Sequence, residues 1–342
     1  MNKSAIFSAC LLVASFAQAD TLLVGNKAKN TLSFVDLATG KVVKVLPTGR
    51  GPHEVDVSPD GRLAIVADYG TGPLPGNTLT LVNVEQAEVI GKIDLGGNTR
   101  PHGIVWLPDG EHVAVTTEGA GTLTVVNVNE RRVAYTLPTR QSGSHMLAVN
   151  GVGSTAFVAN ISSGSVTSLE LKPGAEPQNL PTGEGAEGVA VTLDGKEVWV
   201  SNREADTVTV LNAETLEVIT QLPTGDFPIR AEMTPDGKYA LVTNADSGDL
   251  SVYDVKDKRE IKRVELDVKG GKGASIFGDA FASSSVPIGI QPHPEKNLIY
   301  IAHANGDVIS EVSTETWEIV RIIDAGPEPD GMAYTSISPK TK

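Results

Sequence analysis

The stretch AEGVAVTLDGKEVWVSNREADTVTVLNAETLEVITQLPTG, residues 186–225, holds one complete structural unit. Its short runs carry apolar residues on alternate positions and are separated by segments rich in Asp, Asn and Gly. That is the pattern of strands joined by tight turns. The Leu-Asp-Gly at 193–195 is the turn between the first and second strands, and Pro-Asp-Gly occupies the same place at 59–61, 108–110 and 235–237.

The unit recurs. A pattern of P-x-x-apolar-x-apolar, then D-G-x-x-apolar-x-V-x-N, then T-apolar-T-V-x-N returns along most of the chain. Its opening position is followed through Pro52, Pro101, Ser144, Ala186, Pro228, Pro287 and Pro329, in steps of 49, 43, 42, 42, 59 and 42 residues. A period near 42 with four short strands per unit predicts an all-β seven-bladed β-propeller with four-stranded blades. After Pro329 the chain has room for one strand only, whereas residues 21–46 read as strands two, three and four of a blade that lacks its first. Joining the two ends completes the seventh blade, closes the ring and removes exposed sheet edges. The expected organisation is a leader over residues 1–19 and one propeller domain over 20–342. The composition agrees, with 35 Gly, 20 Pro and 5% aromatic residues among the 342.

The segments YALVTNADSGDLSVYDVKDKREI, VWVSNREADTVTVLNAETLEV and LLVGNKAKNTLSFVDLATGKVV resemble the YVTN-type repeat over the whole mature chain. The resemblance implies a secreted or periplasmic seven-bladed propeller, similar to surface-layer-associated propellers and to one associated with quinone-dependent catabolism. It implies no single activity, because propellers host binding scaffolds, lactonases, lyases and redox enzymes. Two motifs mislead. LPTG at 46–49, 180–183 and 222–225 is a loop of the repeat, not a sorting signal, and KGGKGAS at 269–275 lacks the spacing of a phosphate loop.

The N-terminus, MNKSAIFSACLLVASFAQAD, reads as a secretory signal peptide with Lys3 at its charged end, an apolar run to Phe16 and cleavage after Ala19. FSAC around Cys10 also resembles a lipoprotein box, but too few apolar residues precede it. No segment reaches the roughly 18 to 20 apolar residues of a membrane span. Removal of the leader takes Cys10, the only cysteine, and leaves no thiol for disulfides, Cys-ligated clusters or c-type haem attachment. A net charge of −14 disfavours nucleic acid and anionic membrane as partners. The expected protein is a periplasmic or secreted monomer that meets a small molecule or another periplasmic protein.

In a propeller the loop entering each first strand and the loop between strands two and three open on the same face. The residue after each anchor therefore belongs to one ring: His53, His102, His145, Glu187, Ile229, Ile288 and Asp330. Since Asp330 neighbours His53 in the closed ring, five adjacent blades supply a polar arc and two supply isoleucines. Three imidazoles with flanking carboxylates suit zinc, copper, manganese or iron, with His53, His102 and His145 as the candidate ligands. Without a metal, one histidine can act as general base with Glu187 or Asp330 beside it. The bland alternative is that a repeat copies its local sequence into a solvated channel mouth.

Other candidates rank below this arc. His303 replaces the asparagine found at Asn26, Asn160, Asn202 and Asn244, where Asp68 and Thr117 also stand in. Those asparagines read as turn formers that satisfy loop amides. Arg230 and Glu232 read as a buried or inter-blade pair, Arg50 and Arg100 as flanks of the mouth, and His112 and His293 as surface residues of the opposite face. Two insertions, YGTGPLPGNT at 69–78 and a Gly/Ser-rich segment within 265–286, emerge on the histidine face. The second carries Phe277 and Phe281 and is a candidate lid. Three functions remain open: a binding propeller; a metal-dependent hydrolase, lyase or oxidoreductase; and, by resemblance alone, an accessory factor of a quinone or copper redox system.

Overall fold

The computed structural model describes residues 20–266, 268, 281 and 283–340, so the expected leader, Cys10, the KGGKGAS stretch and Phe277 lie outside the described residues. The described chain forms seven four-stranded antiparallel sheets, the blades of a seven-bladed propeller. Every anchor read from the sequence opens an inner strand: Pro52–Val57, Pro101–Trp106, Ser144–Val149, Ala186–Val191, Pro228–Met233, Pro287–Pro292 and Pro329–Thr335. We number the blades 1 to 7 in that order. Consecutive inner strands lie against one another around the axis, the last against the first.

Blade 7 is closed by the two chain ends. Pro329–Thr335 pairs antiparallel with Thr21–Asn26, with Leu22 opposite Tyr334 and Leu23 opposite Ala333. Asp20 fixes the joint: its carboxylate accepts from Tyr334 Oη at 2.6 Å, lies 3.2 Å from His293 Nε2 and pairs with Lys296. His293 is therefore buried in the closure instead of lying on the surface as the sequence suggested. Its position beside a turn is right; its partner comes from 273 residues away. Neighbouring blades share apolar cores, such as Trp199 and Val210 of blade 4 with Val242 and Tyr253 of blade 5. Each such side chain contributes roughly 1.5–3 kcal/mol on burial.

Two backbone devices recur at the entrance to every inner strand. The residue before each anchor has a left-handed conformation: Gly51, Arg100, Gly143, Gly185, Phe227, Val286 and Glu328, with φ between 51° and 72°. The ladder then skips a register between the anchor and the third residue after it in all seven blades, a β-bulge that turns the two intervening side chains toward the axis. A strand-two hydroxyl serves the bulge. Ser201 Oγ accepts the Gly188 amide at 2.8 Å and faces the Ile229 carbonyl of the next blade at 3.1 Å, and Thr243 Oγ1 donates to the Ile288 carbonyl at 2.8 Å.

The residue two after the anchor is glycine in blades 2, 4, 6 and 7. A side chain there meets the neighbouring inner strand: a Cβ on Gly103 lies 2.9 Å from the Leu147 amide, and one on Gly188 lies 2.7 Å from the Ala231 amide. The exceptions are Glu54, Met146 and Arg230, and the two charged ones supply part of the site described below.

The asparagines of strand two work inside the blade. Asn26, Asn160, Asn202 and Asn244 donate to Ser33, Thr167, Thr209 and Ser251 of strand three at 2.8 to 3.0 Å. The sequence expectation of loop amides holds for Asp68, which accepts the Gly49 amide at 2.8 Å, but hydroxyls are the common partner. His303 belongs to this set, with Nε2 2.8 Å from Ser310 Oγ and Nδ1 2.8 Å from Ser285 Oγ. It sits within its blade and does not line the mouth cavity.

Burial lowers the His303 pKa to about 3. The unfolded chain, with an ordinary value near 6.5, then binds the proton first as pH falls. His303 accordingly withdraws about 1.4 kcal/mol of stability per pH unit between about 6 and 3. Urea unfolding across that window is expected to show a shallower pH dependence in His303→Asn than in the parent, and equal slopes would contradict the assignment.

Candidate functional site

The bulges place the anchor-following side chains as a ring at one mouth of the axial channel. His53, His102 and His145 form a stack there, with ring centroids 3.7 Å apart for the first pair and 3.6 Å for the second. His102 is the middle ring and is fully buried. The two outer rings are held by charge. His53 Nδ1 lies 3.1 Å from Asp330 Oδ2 and its Nε2 lies 2.9 Å from Lys27 Nζ. His145 Nδ1 lies 2.9 Å from Glu118 Oε2 and its Nε2 lies 3.4 Å from Glu187 Oε1.

These environments separate the three imidazoles electrostatically. Burial holds His53 well below the ordinary histidine pKa, and Lys27 and Arg230 add to the effect while Asp330 opposes it. Burial, with the charge of its neighbours, depresses His102 in the same way. At His145 burial again opposes charge, but Glu118 and Glu187 outweigh it and raise the pKa. Glu187, although buried, is lowered to about 2 by His145, Arg203 and Arg230. The neighbouring carboxylates thus favour the charged imidazole at His145, whereas burial disfavours it at His53 and His102.

Arg230 crosses the channel. Its guanidinium pairs with Glu54 and lies 3.5 Å from Asp330 Oδ1 and 3.7 Å from Glu187 Oε1, joining blades 1, 4, 5 and 7. The pair with Glu232 expected from the sequence does not form. Glu232 faces the channel below, where burial and the nearby Asp56 and Glu54 raise its pKa to about 7.

Above the stack lies a cavity of about 170 Å³. His53, His145, Glu187, Ile229, Arg230, Ile288 and Asp330 line it, so seven of the nine candidate residues meet there, together with Lys27, Tyr69 and Arg203. His102 lies behind its neighbours, and His303 is elsewhere. Tyr69, brought in by the first insertion, packs edge-on to His53 and His102 and donates to Glu118 Oε1 at 3.1 Å. Arg100 stacks over Tyr69 at 5.1 Å, while Arg50 takes part through its carbonyl, which accepts the Gly70 amide. The isoleucine side is an apolar cluster in which Ile229 and Ile288 pack with Ala245, Val286 and Phe281, and Phe281 meets Phe227 at 4.8 Å.

The sequence reading missed Lys27, Tyr69, Glu118 and Arg203, yet all four occupy one repeat position. Each directly follows the strand-two asparagine or its replacement: Asn26, Asp68, Thr117 and Asn202. Glu54 was signalled by a charged residue standing where other blades carry glycine. His53, Glu54 and His102 also bring three donor atoms within 4.8 Å of one another, a grouping able to hold a metal ion.

Fold and site together define a seven-bladed propeller with a cavity lined by charged residues at one mouth of its channel. The family model described as "Lactonase, 7-bladed beta-propeller" matches residues 100–277, just over half of the chain. The chain belongs to that family. Among solved structures it is similar to a functionally unknown protein from Desulfotomaculum acetoxidans, at 13% identity and a TM-score of 0.75, over 94% of this chain and 99% of that one. It is also similar to the periplasmic gluconolactonase of Pseudomonas aeruginosa, at 16% identity and a TM-score of 0.71, over 92% and 99% of the two chains. Kuenenia stuttgartiensis hydrazine synthase matches at 20% identity and a TM-score of 0.69, over 86% and 92%. At these identities the likeness concerns the fold. No curated protein matches the chain.

Proposed function

We propose that the protein binds a small anionic lactone, or the hydroxy acid formed from it, at the channel mouth and hydrolyses the ring ester there. One observation carries the reading. Lys27 and Arg203, with side chains 26% and 25% exposed, stand over the imidazoles and carboxylates of the cavity lining, His53, His145, Glu187 and Asp330, whose side chains are 12% exposed or less. They are the charges an incoming ligand meets first, and an oxyanion held between them gains from a site that excludes bulk water. The cavity is smaller than the roughly 300–1,000 Å³ of drug-sized pockets, which favours a compact ring. Ile229 and Ile288 give its carbon skeleton a wall.

Within this reading His145 supplies the proton. The 3.4 Å contact of its Nε2 with Glu187 is long enough for a carbonyl oxygen to share. Glu187 and Asp330 orient the attacking water. Family membership and the likeness to a gluconolactonase support the ester as the reacting bond, and the leader expected over residues 1–19 supports action in the periplasm.

The test is hydrolysis of glucono-1,5-lactone and a panel of carboxylated lactones by the mature protein, followed by proton release, with calorimetric binding of the product acids. Arg203→Ala is expected to weaken binding about 10–100-fold, the loss of one charge-assisted hydrogen bond of about 1.5–3 kcal/mol. Neither binding nor turnover across the panel would overturn the reading.

A metal-dependent form of the same chemistry is favoured by the His53, Glu54 and His102 grouping.

A further inference from the structure

We propose that His53, Glu54 and His102 bind one divalent transition-metal ion of the zinc or cobalt kind at the waist of the channel, immediately behind the mouth cavity. His102 is the decisive residue. It is fully buried, and neither Nδ1 nor Nε2 has a hydrogen-bond partner. A buried polar group left without a partner gives up its hydration with nothing in return. The other described histidines have partners: Lys27 for His53, Asp109 for His112, Glu118 for His145, Asp20 for His293 and Ser310 for His303. Stacking between two rings accounts for the faces of His102 and leaves its nitrogens without an explanation.

The donor geometry suits one ion. The three donor atoms lie within 4.8 Å of one another. His53 Nδ1 is 3.8 Å from Glu54 Oε1; two ligands of a tetrahedral zinc ion stand about 3.4 Å apart. Two imidazole nitrogens and a carboxylate oxygen select a borderline transition metal over calcium or magnesium, which prefer all-oxygen sets. Three protein donors leave a position open for water or a ligand.

The surrounding cations allow it. An ion takes His53 through Nδ1, which lies 3.8 Å from Glu54 Oε1 and 3.1 Å from Asp330 Oδ2, in the tautomer with its proton on Nε2, so Asp330 gives up Nδ1 and Lys27 gives up Nε2 when the ion binds. Arg230 pairs with Glu54, but it already lies beside Asp330 and Glu187 and keeps both when Glu54 turns to an ion. His53 lines the mouth cavity, and Glu54 lines the next one down the channel, of about 180 Å³. The ion belongs where the two meet. Nothing in this site depends on the ligand of the mouth being a lactone.

The experiment titrates chelator-treated mature protein with Co²⁺ alone, read by calorimetry and ligand-field absorption. One Co²⁺ per chain is expected, displaced by Zn²⁺ and indifferent to Mg²⁺ and Ca²⁺. His102→Asn and Glu54→Gln are expected to weaken it by more than the roughly 10–100-fold that loss of an outer-shell partner costs. His112→Asn is expected to change nothing. Lys27→Met removes a repelling charge and is expected to tighten binding severalfold, a gain that misfolding cannot imitate. Thermal unfolding in chelator separates a lost site from a lost fold. Absence of stoichiometric binding, which a water as the partner of His102 would also produce, overturns the proposal. So does Co²⁺ binding undiminished in both His102→Asn and Glu54→Gln.

Discussion

Replacing Arg230 with methionine is expected to destabilise the fold by about 3–5 kcal/mol, the usual consequence of breaking a buried ionic cluster from one side. The guanidinium is almost fully buried and faces Glu54, Asp330 and Glu187, carboxylates contributed by three other blades. Methionine fills much of the volume and supplies none of the charge. Three carboxylates would then share Lys27, Arg203 and His145 among themselves, and Glu54 would have no cation in contact. Lysine is a poor substitute, because a single ammonium cannot reach three carboxylates as a planar fork does. Urea unfolding is the measurement, and a double-mutant cycle sharpens it. Adding Glu54→Gln to Arg230→Met removes one stranded charge and is expected to recover part of the loss, a coupling energy that contacting residues show and distant ones do not. Arg132→Met is the control. That residue pairs with Glu130 on the surface, with side chains 63% and 53% exposed, and its loss is expected to fall within the roughly 0–1 kcal/mol of exposed pairs. Equal effects at the two positions would mean that Arg230 does not hold the channel together.

The different legibility of fold and site follows from what a repeat encodes. Alternation, turn residues and a constant period are local properties, so the seven anchors and the closure could be read from one chain. The ring formed by the residues after the anchors was legible for the same reason, because each blade repeats the same bulge. What the period conceals is the second side chain of that bulge. Gly103, Gly188, Gly289 and Gly331 keep it silent in four blades, whereas Glu54 and Arg230 break the silence on opposite sides of the axis. Reading that position around the ring, as was done for its neighbour, would have paired them. The residue after the strand-two asparagine is a third ring, with Lys27, Tyr69, Glu118 and Arg203 on an arc interrupted by Ile161, and Ala245 and Ala304 on the apolar side. The imidazole stack lay beyond such reasoning, because ring spacing depends on the channel radius. His303 shows the opposite failure. Ranked below the arc but kept as a candidate for the mouth, it uses its two nitrogens for hydrogen bonds inside a blade.

A chain ending at residue 328 is expected to lose its cooperatively folded state altogether, although it keeps six complete blades. The missing strand, Pro329–Thr335, is the inner member of blade 7 and contributes at three levels. Its backbone pairs with Thr21–Asn26, a strand buried along its whole length, so truncation bares an apolar edge. Met332 and Ala333 leave two inter-blade cores. Asp330 leaves the channel, taking the anion that faces Lys27, His53 and Arg230, and Tyr334 releases Asp20 and with it the N-terminal joint. An open ring would therefore lose packing at its weakest seam and strand cations at its centre. Gel filtration and near-ultraviolet circular dichroism are expected to report an expanded or aggregated chain in place of a compact closed ring. A peptide of residues 329–342 added in trans tests whether the loss is one of closure. If closure is the cause, the peptide restores a compact species; an Asp330→Asn peptide restores pairing while leaving Lys27 and Arg230 short of a carboxylate, and is expected to bind more weakly. A truncated chain that unfolds with the cooperativity of the parent would show that six blades suffice, and that the shared seventh blade serves the site more than the fold.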